Sequence, residues 1–278
     1  MKAFVRSTIF LLLVVPLSYG GATWTTIDVP GSTHTAAYKI NNSGQVVGFY
    51  QDSTYASHGF LYSNGTFTTI DFPRAGSTYA LGINDSGIIV GMYGFKRQST
   101  HGFIYDGTTF TTIDVPGGID TTAYDINNSG DIVGTYEDGV TFAPLGFELT
   151  GGTYFTIQPP GTKRVAAFGI NDAGDVVGIA SFRGFIFSHG EYRQGLNFPG
   201  ADYTESHDLN DSQKIVGFTI KAGVLKGFGF SRGEFIGLQF PHVAYTRAWG
   251  INKRGEIVGL YVDGNGREHG FLRAGGSQ

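Results

Sequence analysis

Hydrophobic and polar positions divide the chain after residue 22 into short apolar runs separated by polar turns. One stretch has runs at 79–83, 88–93, 102–105 and 110–113, each rich in β-branched or aromatic residues and bounded by Asn, Asp, Ser or Gly. Runs of four to six residues with such boundaries are typical of β-strands. No segment shows a helical period of useful length, so the pattern predicts an all-β protein.

The same pattern recurs in six copies, spaced 39 to 44 residues apart. An Ile-Asn or Leu-Asn pair marks each copy, with its Asn at Asn41, Asn84, Asn127, Asn171, Asn210 and Asn252. A Val-Gly step ends the following apolar run, and a Gly-Phe pair marks the next one, with its Phe at Phe60, Phe103, Phe147, Phe185, Phe228 and Phe271. A fixed period of this length predicts one structural unit per copy.

Each copy has the runs for four antiparallel strands, and such units of about 40 to 45 residues are typical of β-propeller blades. The sequence therefore predicts a six-bladed β-propeller that forms a single domain over 23–278. The last copy ends after its third strand, near Phe271, whereas an unmatched fourth strand lies at 24–28. We expect this first strand to complete the last blade and close the ring, which would remove an exposed sheet edge.

Side chains on the first strand of each copy alternate between large and small. Because alternate residues of a strand point to opposite faces, the large and small positions are expected to interdigitate between neighbouring blades. The large positions are Tyr38, Leu81, Tyr124, Phe168, His207 and Trp249. The small positions are Ala37, Ala80, Ala123, Ala167, Ser206 and Ala248.

The first twenty residues have the pattern of a secretory signal. Lys2 and Arg6 precede an apolar run at 9–16, and small residues follow at 18–22, which predicts a signal peptide over 1–20 with cleavage between residues 20 and 23. The run is too short to span a bilayer, and no later run approaches the required length, so no membrane insertion is expected after cleavage. The mature chain is therefore predicted to be secreted or periplasmic.

Composition narrows the classes of partner. Without the signal peptide, 17 basic and 23 acidic residues remain, a formal charge of −6 that argues against nucleic acid or an anionic membrane as the ligand. The chain has no Cys, which excludes disulfides and thiolate metal sites. An exported chain without disulfides fits a bacterial protein, and we expect a monomer.

The segment Gly-Ile-Asn-Asp-Ser-Gly-Ile-Ile-Val-Gly at 82–91, followed by His-Gly-Phe at 101–103, resembles the HAF repeat of extracellular bacterial proteins. The resemblance covers nearly all of the mature chain and implies an extracellular location and a propeller-like fold, with no agreed activity or catalytic residues. The family's His-Ala-Phe is His-Gly-Phe here, at His58, His101 and His269. Leu145, Arg183 and Lys226 replace the His in the third to fifth copies.

Polar residues that recur in every copy are most simply explained by the fold. The Asn-x-Ser triplets at 41, 84, 127 and 210 match glycosylation sequons but are interpreted as turns. Acids at 28, 71 and 114 precede the Val-Pro or Phe-Pro pair and are interpreted as loop-capping groups. Acids after the Asn-x-x-Gly turn, Asp131, Asp175 and Glu256, leave calcium open as a ligand, although the spaced ligands of a calcium loop are missing. No other cofactor and no metal site is predicted.

Departures from the repeat cluster in the fifth and sixth copies. Glu205 and His207 lie on one inner strand, and Arg247 and Trp249 take the same positions on the next. An acid, an imidazole and an arginine near the centre of the ring could bind an anionic or sugar-like ligand, or serve as general acid and base. The alternative interpretation makes His207 a packing residue, because it occupies the position of Tyr38 and Phe168.

Loop lengths predict one variable face. The loops between second and third strands and those between copies vary in length and should emerge on the same side, which makes that side the expected binding surface. Its candidate ligand-binding residues, apart from Glu205, Arg247 and Trp249, are Lys96, Arg97, Lys163, Arg164, Tyr203 and Tyr245.

Two functions follow from these patterns. The first is a secreted, non-enzymatic binding or scaffold module that presents its variable face to an extracellular glycan or protein. The alternative is an extracellular hydrolase or lyase with Glu205, His207 and Arg247 as its catalytic residues in a central funnel.

Overall fold

The computed structural model describes residues 7–8, 17–19, 21–95 and 99–275. Its regular structure over these residues is β-strand, so the predicted all-β class is confirmed. The described part of the chain has no helix long and apolar enough to cross a membrane. Most of the predicted signal peptide, together with Lys96 and Arg97, lies outside the described residues.

Each sequence repeat supplies a first, inner strand and a second strand. The inner strands are β4 (His34–Ile40), β8 (Ser77–Ile83), β12 (Gly118–Ile126), β16 (Val165–Ile170), β20 (Tyr203–Leu209) and β24 (Tyr245–Ile251). The second strands are β5 (Val46–Gln51), β9 (Ile89–Gly94), β13 (Ile132–Asp138), β17 (Val176–Ala180), β21 (Ile215–Lys221) and β25 (Ile257–Val262).

Third and fourth strands extend each sheet outwards. The third strands are β6 (Ser57–Ser63), β10 (Thr100–Tyr105), β14 (Pro144–Thr150), β18 (Arg183–Ser188), β22 (Val224–Ser231) and β26 (Glu268–Gly275). The fourth strands are β7 (Thr66–Ile70), β11 (Phe110–Ile113), β15 (Thr153–Ile157), β19 (Glu191–Leu196), β23 (Glu234–Leu238) and β3 (Ala22–Ile27). Short strands β1 (Ser7–Thr8) and β2 (Leu17–Tyr19) pair with β7 and β3.

Consecutive strands of a repeat pair antiparallel, and the last repeat takes its fourth strand from the start of the chain. β3 pairs with β26 over Ala22–Ile27, with Thr26 opposite Phe271, as the sequence predicts for the segment at 24–28. Trp24 is only 4% exposed and packs against Phe240 and Phe271. Repeats 1 and 2 are also joined by a single parallel bridge between Ser57 and Ser77.

The recurring Asn links neighbouring repeats. The Asn41 side-chain oxygen accepts hydrogen bonds from the backbone N–H groups of Ser43 and Gln45, which fixes the turn after the inner strand. Its amide donates to the Asn84 carbonyl at 3.1 Å, and Asn252 in turn donates to the Asn41 carbonyl at 3.2 Å. The side chain of Asn41 is therefore buried and held by hydrogen bonds to backbone groups, which supports the interpretation of the sequon triplets as turns.

Close backbone approach explains the repeated Gly and Phe. A Cβ on Gly91 would lie 1.9 Å from the Tyr79 carbonyl oxygen and 2.9 Å from the Phe103 ring, so only glycine fits between them. The Phe of every Gly-Phe pair is at most 1% exposed, which makes these rings the centre of each packing layer. Burying a ring of this size contributes about 2–3 kcal/mol to the free energy of folding.

The predicted interdigitation of large and small residues between blades is wrong for the large residues. Ala37 does lie between repeats, in a cluster with Ile27 and Phe60. The large side chains instead contact one another where the inner strands converge, as in the stacked rings of Tyr38 and Trp249, 4.2 Å apart. The cause is a register shift after Ala37 and its counterparts, a β-bulge that redirects the large side chain.

Candidate functional site

The β-bulge of an inner strand turns two consecutive side chains towards the centre, where the inner strands of the repeats converge. In repeat 1, Tyr38 lies in the bulge and Lys39 follows it, and both contact residues of other repeats. The same shift falls between Ser206 and Asp208 in repeat 5. His207 and Asp208 therefore both reach the centre, although strict strand alternation predicts opposite faces for them.

A buried ion triad fills the centre one layer below the aromatic side chains. The Lys39 ammonium donates to the carboxylates of Asp125 and Asp208, and each acid also accepts backbone N–H groups, from Ile126 and Ile170 for Asp125. The two acids are at most 1% exposed. The three residues come from repeats 1, 3 and 5, so the triad joins three separate inner strands.

Glycine takes the same position in the intervening repeats, at 82, 169 and 250. A Cβ on Gly169 would lie 2.8 Å from the Asp208 Cα, so a side chain there would collide with the triad's own backbone. The residue before each Ile-Asn or Leu-Asn pair thus alternates between charge and glycine. This alternation is visible in the sequence and marks the triad positions, although none of the three residues is among the predicted site residues.

Burial sets the protonation of the triad. Removal from water, with a smaller contribution from the charge of Asp125, raises the pKa of Asp208 to about 7 in spite of the opposing effect of Lys39. Burial likewise raises the pKa of Asp125. Burial alone would lower the pKa of Lys39, but the two carboxylates outweigh it and raise that pKa. The lysine is therefore charged, and one acid gains a proton near neutral pH.

Glu205 and His207 form a second polar cluster, nearer the loop face, which is the side where the loops between second and third strands and between repeats emerge. The His207 imidazole Nε2 lies 2.6 Å from the Glu205 Oε1, and the Tyr203 hydroxyl donates to the other carboxylate oxygen. Burial raises the pKa of Glu205, but the hydrogen bonds from His207 and Tyr203 and the charge of Arg247 outweigh it, so the pKa is below its ordinary value. Both Glu205 and His207 are less than 9% exposed.

Aromatic rings surround this cluster. The His207 ring stacks on Phe168 at 4.5 Å and lies 5.9 Å from Trp249, so it packs between repeats 4 and 6. The Arg247 guanidinium lies over the Phe218 ring at 5.1 Å. Glu205, His207, Arg247 and Trp249 thus meet near the centre, as the sequence suggests, in a packed arrangement above the ion triad.

A cavity of about 450 Å³ lies on the loop face beside this cluster. It brings together three predicted ligand-binding residues, Lys163, Arg164 and Tyr203, with Phe182, which is not among the predicted residues. Lys163 and Arg164 are exposed, and within the described residues neither side chain forms an ion pair. Tyr245, the counterpart of Tyr203 in repeat 6, is 44% exposed and does not line this cavity.

Phe182 holds an unfavourable position for an aromatic residue. It is 69% exposed, its φ is 73°, and its ring lies 6.3 Å from the Tyr203 ring. Two other second-to-third loops also present an aromatic residue at positive φ, Tyr55 at 70% and Phe142 at 64% exposure. A left-handed conformation costs a bulky residue about 1–3 kcal/mol, and such strain concentrates at functional sites. Repeat 5 has Ala222 and Gly223 at positive φ in this loop.

Each histidine of the three His-Gly-Phe segments pairs with an acid. For His58 and His101 the acid lies thirteen residues later in the sequence, and for His269 it is Asp28, near the start of the chain. Nδ1 of His58 lies 2.9 Å from Oδ2 of Asp71, and Nδ1 of His269 lies 2.7 Å from Oδ2 of Asp28. His101 pairs with Asp114 in the same way. Where the His is replaced, the acid is also replaced, by Gln158, Asn197 and Gln239. The two changes within one chain are a sequence signal for the contact.

The predicted loop-capping role of Asp28, Asp71 and Asp114 is therefore wrong. A buried Thr caps the loop instead, as where the Thr78 hydroxyl accepts the Phe72 N–H at 3.0 Å. The carboxylates lie one position earlier, where they face the histidine on the neighbouring strand.

We expect Asp71→Asn to lower the pKa of His58. The hydrogen bond and charge of Asp71 raise that pKa in spite of burial, so removing the charge should bring it back towards 6.5. NMR titration of the imidazole protons measures the change. Asp28→Asn is the matched control, because it should shift only His269, whose pKa Asp28 raises. An unchanged His58 titration in Asp71→Asn would contradict the assignment.

Acids after the Asn-x-x-Gly turn orient the recurring Asn. The Asn127 amide donates to Asp131 at 3.0 Å, and Asn252 donates to Glu256 at 2.7 Å. Asp175 accepts from Asn171 in the same way. Within the part of the chain that the structure describes, no group of three or more His, Cys, Asp or Glu side chains is placed to hold a metal ion.

Comparison with known proteins identifies likenesses of fold. No protein-family profile and no curated protein matches the sequence. A mutant of the Aleuria aurantia lectin, solved with Fucα1-6GlcNAc, is similar with a TM-score of 0.55 at 10% identity, covering 86% of this chain and 91% of that chain. AofleA from Arthrobotrys oligospora gives a TM-score of 0.53 at 10% identity, covering 92% of this chain and 94% of that chain.

A further structure of the Aleuria aurantia lectin is described as having a six-bladed β-propeller fold and a novel fucose recognition mode. It gives a TM-score of 0.51 at 10% identity and covers 89% of this chain and 93% of that chain. At this identity the likeness concerns the fold alone. The chain therefore has the all-β architecture of propeller lectins.

Proposed function

We propose that this protein is an exported, non-enzymatic carbohydrate-binding module, built as a closed six-bladed β-propeller that binds a glycan on its loop face. The observation that carries the proposal is Phe182, an exposed aromatic residue in a strained conformation at a cavity of about 450 Å³.

Six repeats and their connections support the closed ring. At the outer side of the last sheet, β3 from the start of the chain pairs with β26. At the inner side, the Asn252 side chain of repeat 6 donates to the Asn41 carbonyl of repeat 1. A closed ring leaves the loop face as a broad surface around one axis, which suits the display of several similar sites.

The cavity has the composition of a sugar site. Ligand pockets combine apolar and aromatic walls with a few polar groups that set orientation. Here Phe182 and Tyr203 supply rings for the apolar face of a sugar, and Lys163 and Arg164 supply donors for hydroxyl or carboxylate oxygens. Tyr55 and Phe142 offer equivalent rings in repeats 1 and 3, so further sugar units can be bound elsewhere on the face.

The hydrolase or lyase alternative has less support. Glu205 and His207 are nearly buried and hydrogen bonded to each other, and Tyr203 binds the second oxygen of the Glu205 carboxylate. These contacts suit a structural role, in which Glu205 and His207 hold the Tyr203 side chain in the wall of the cavity.

Fucosylated glycans are the first ligands to test, because the solved lectins of this fold bind fucosides, and acidic glycans are the second, because of the two cations. We expect the mature protein, residues 23–278, to bind members of one set on a glycan array. Phe182→Ala should weaken that binding about five- to tenfold, as loss of a stacked ring worth roughly 1–1.5 kcal/mol predicts.

Phe155→Ala is the matched control. Phe155 is 52% exposed but lies on the fourth strand β15, away from the loop cavity, so its loss should leave glycan affinity unchanged. Equal effects of the two substitutions, or no binding to any glycan on the array, would contradict the proposed function.

A further inference from the structure

One position of repeat 5 departs from the pattern of the other repeats. The residue after the buried Phe of the third strand has an aliphatic side chain in four repeats and is Glu148 in repeat 3. The aliphatic residues are Leu61, Ile104, Ile186 and Leu272. In repeat 5 the position is Gly229, which has no side chain.

In the other repeats this side chain fills space against the next repeat. Leu61 packs against the core cluster that contains Ile83 and Ile89 of repeat 2, and Ile104 packs against the corresponding cluster of repeat 3. The corresponding residues of repeat 6 are Ile251 and Ile257. They border a cavity of about 240 Å³ at Gly229, so the missing side chain leaves open space between repeats 5 and 6.

The backbone does not require a glycine at 229. Its φ lies outside the left-handed region, and the nearest atom to an added Cβ would be Cγ1 of Ile236, at 3.2 Å in a flexible side chain. Gly217 on the adjacent strand differs, because a Cβ there would lie 2.0 Å from the Glu205 carbonyl oxygen. The feature that Gly229 provides is therefore the cavity.

The lining combines an apolar wall with a charged opening. Ile215, Ile236, Leu238, Ile251 and Ile257 supply the apolar wall. The charged lining residues are Lys214, Arg232 and Glu234, and Arg232 and Glu234 are exposed. Among the described residues none of these three charges forms an ion pair, which leaves a net positive charge at the opening.

We propose that this cavity binds a small amphiphilic carboxylate, with an aromatic ring or short aliphatic chain against the isoleucines and its carboxylate between Lys214 and Arg232. A dry cavity of about 150 Å³ is large enough for benzene in another protein, so this volume accommodates a substituted ring. Two cations against one acid favour an anionic head group over a neutral or cationic one. The cavity lies at the turn ends of the strands, whereas Phe182 lies on the loop face, so the proposal is independent of glycan binding.

Isothermal titration of the mature protein with benzoate and hexanoate tests the proposal, with benzyl alcohol and hexanol as neutral counterparts. We expect saturable binding of at least one carboxylate, about tenfold tighter than the matching alcohol, as a charge-assisted hydrogen bond predicts. The double variant Lys214→Ala with Arg232→Ala should bring the two affinities close together.

Gly229→Leu restores the residue of repeats 1 and 6 and should abolish binding while keeping or raising the melting temperature, because it fills the cavity. Gly237→Leu is the matched control on the same hairpin, since its side chain would meet open space, and it should bind like the wild type. If Gly229→Leu does not fold, carboxylate-induced shifts of the Ile251 and Ile257 methyl resonances in the wild type decide the question. No saturable binding, equal binding of alcohols, unaltered binding by folded Gly229→Leu, or unshifted isoleucine resonances would overturn the proposal.

Discussion

Removal of residues 1–30 is expected to abolish cooperative folding of the protein. The deletion removes β3, which supplies the fourth strand of the last sheet and pairs with β26 at six positions from Gly270 to Gly275. It would expose the main-chain edge of β26 and the fully buried Phe271. Because each packing layer lies between two sheets, loss of this strand also opens the core beside Phe240 and Tyr261.

Circular dichroism during thermal unfolding measures this effect. A milder variant, Trp24→Ala, should lower the free energy of unfolding by about 3–5 kcal/mol, the usual cost of removing a buried large aromatic side chain. Deletion of residues 1–20 is the control and should lower the melting temperature far less, because it removes only the short strands β1 and β2 and leaves β3 paired with β26. A chain lacking residues 1–30 that still melts cooperatively at the wild-type temperature would contradict the role assigned to β3.

Lys39→Met is expected to destabilise the protein by about 3–5 kcal/mol at neutral pH, because breaking a buried ion pair leaves an uncompensated charge. Here two carboxylates, Asp125 and Asp208, would lose their shared cation. The loss should be smaller near pH 5, where the two buried acids can take up protons. Urea denaturation at the two pH values measures both effects.

Lys253→Met is the matched control for the lysine. Lys253 also bridges two acids, Asp172 and Asp211, but its side chain is 49% exposed. Exposed ion pairs contribute about 0–1 kcal/mol, so this variant should lose far less stability than Lys39→Met. Similar losses of stability in the two variants would show that burial does not increase the contribution of the triad to the free energy of unfolding.

The triad also predicts how wild-type stability depends on pH. Asp208 has a pKa of about 7 in the folded protein and an ordinary value of 3.8 when unfolded, so between these values the folded state holds a proton that the unfolded state has lost. Stability from this group is therefore full at low pH and falls as pH rises from about 4 to about 7, by up to about 1.4 kcal/mol per pH unit.

Asp208→Asn should flatten this dependence, because Asn keeps a side-chain oxygen for the Leu209 N–H but does not titrate. The difference between wild type and variant matters, since the raised pKa values of His58 and His269 contribute stability at low pH that is also lost as pH rises. Denaturant unfolding at several pH values from 4 to 8 measures the two slopes. Identical slopes would rule out a titrating Asp208.

Parts of the candidate sites were predictable from the sequence because they depend on local or repeated features. Lys163 and Arg164 lie on a loop between repeats and Tyr203 begins the inner strand β20, and all three line one cavity, as their predicted role in binding requires. Phe182 is not predictable in this way, because its importance comes from its exposure and positive φ, and neither follows from residue type. The pairing of His58 with Asp71 was predictable from their joint replacement in other repeats, although the two positions were interpreted separately.

The sequence by itself determined the strands, the period of the repeat and the partner of the first strand. These follow from short-range causes: the alternation of side chains along a strand, the steric demands of turns, and an unmatched fourth strand at the start of the repeat array with no fourth strand in its last copy. What only the tertiary structure decided is which side chains meet at the centre. Lys39, Asp125 and Asp208 lie far apart in sequence, and they converge because a β-bulge turns each of them inwards and glycine in the intervening repeats leaves the room. The alternation of charge and glycine marks these positions in the sequence, but their contact depends on how whole sheets pack around one another.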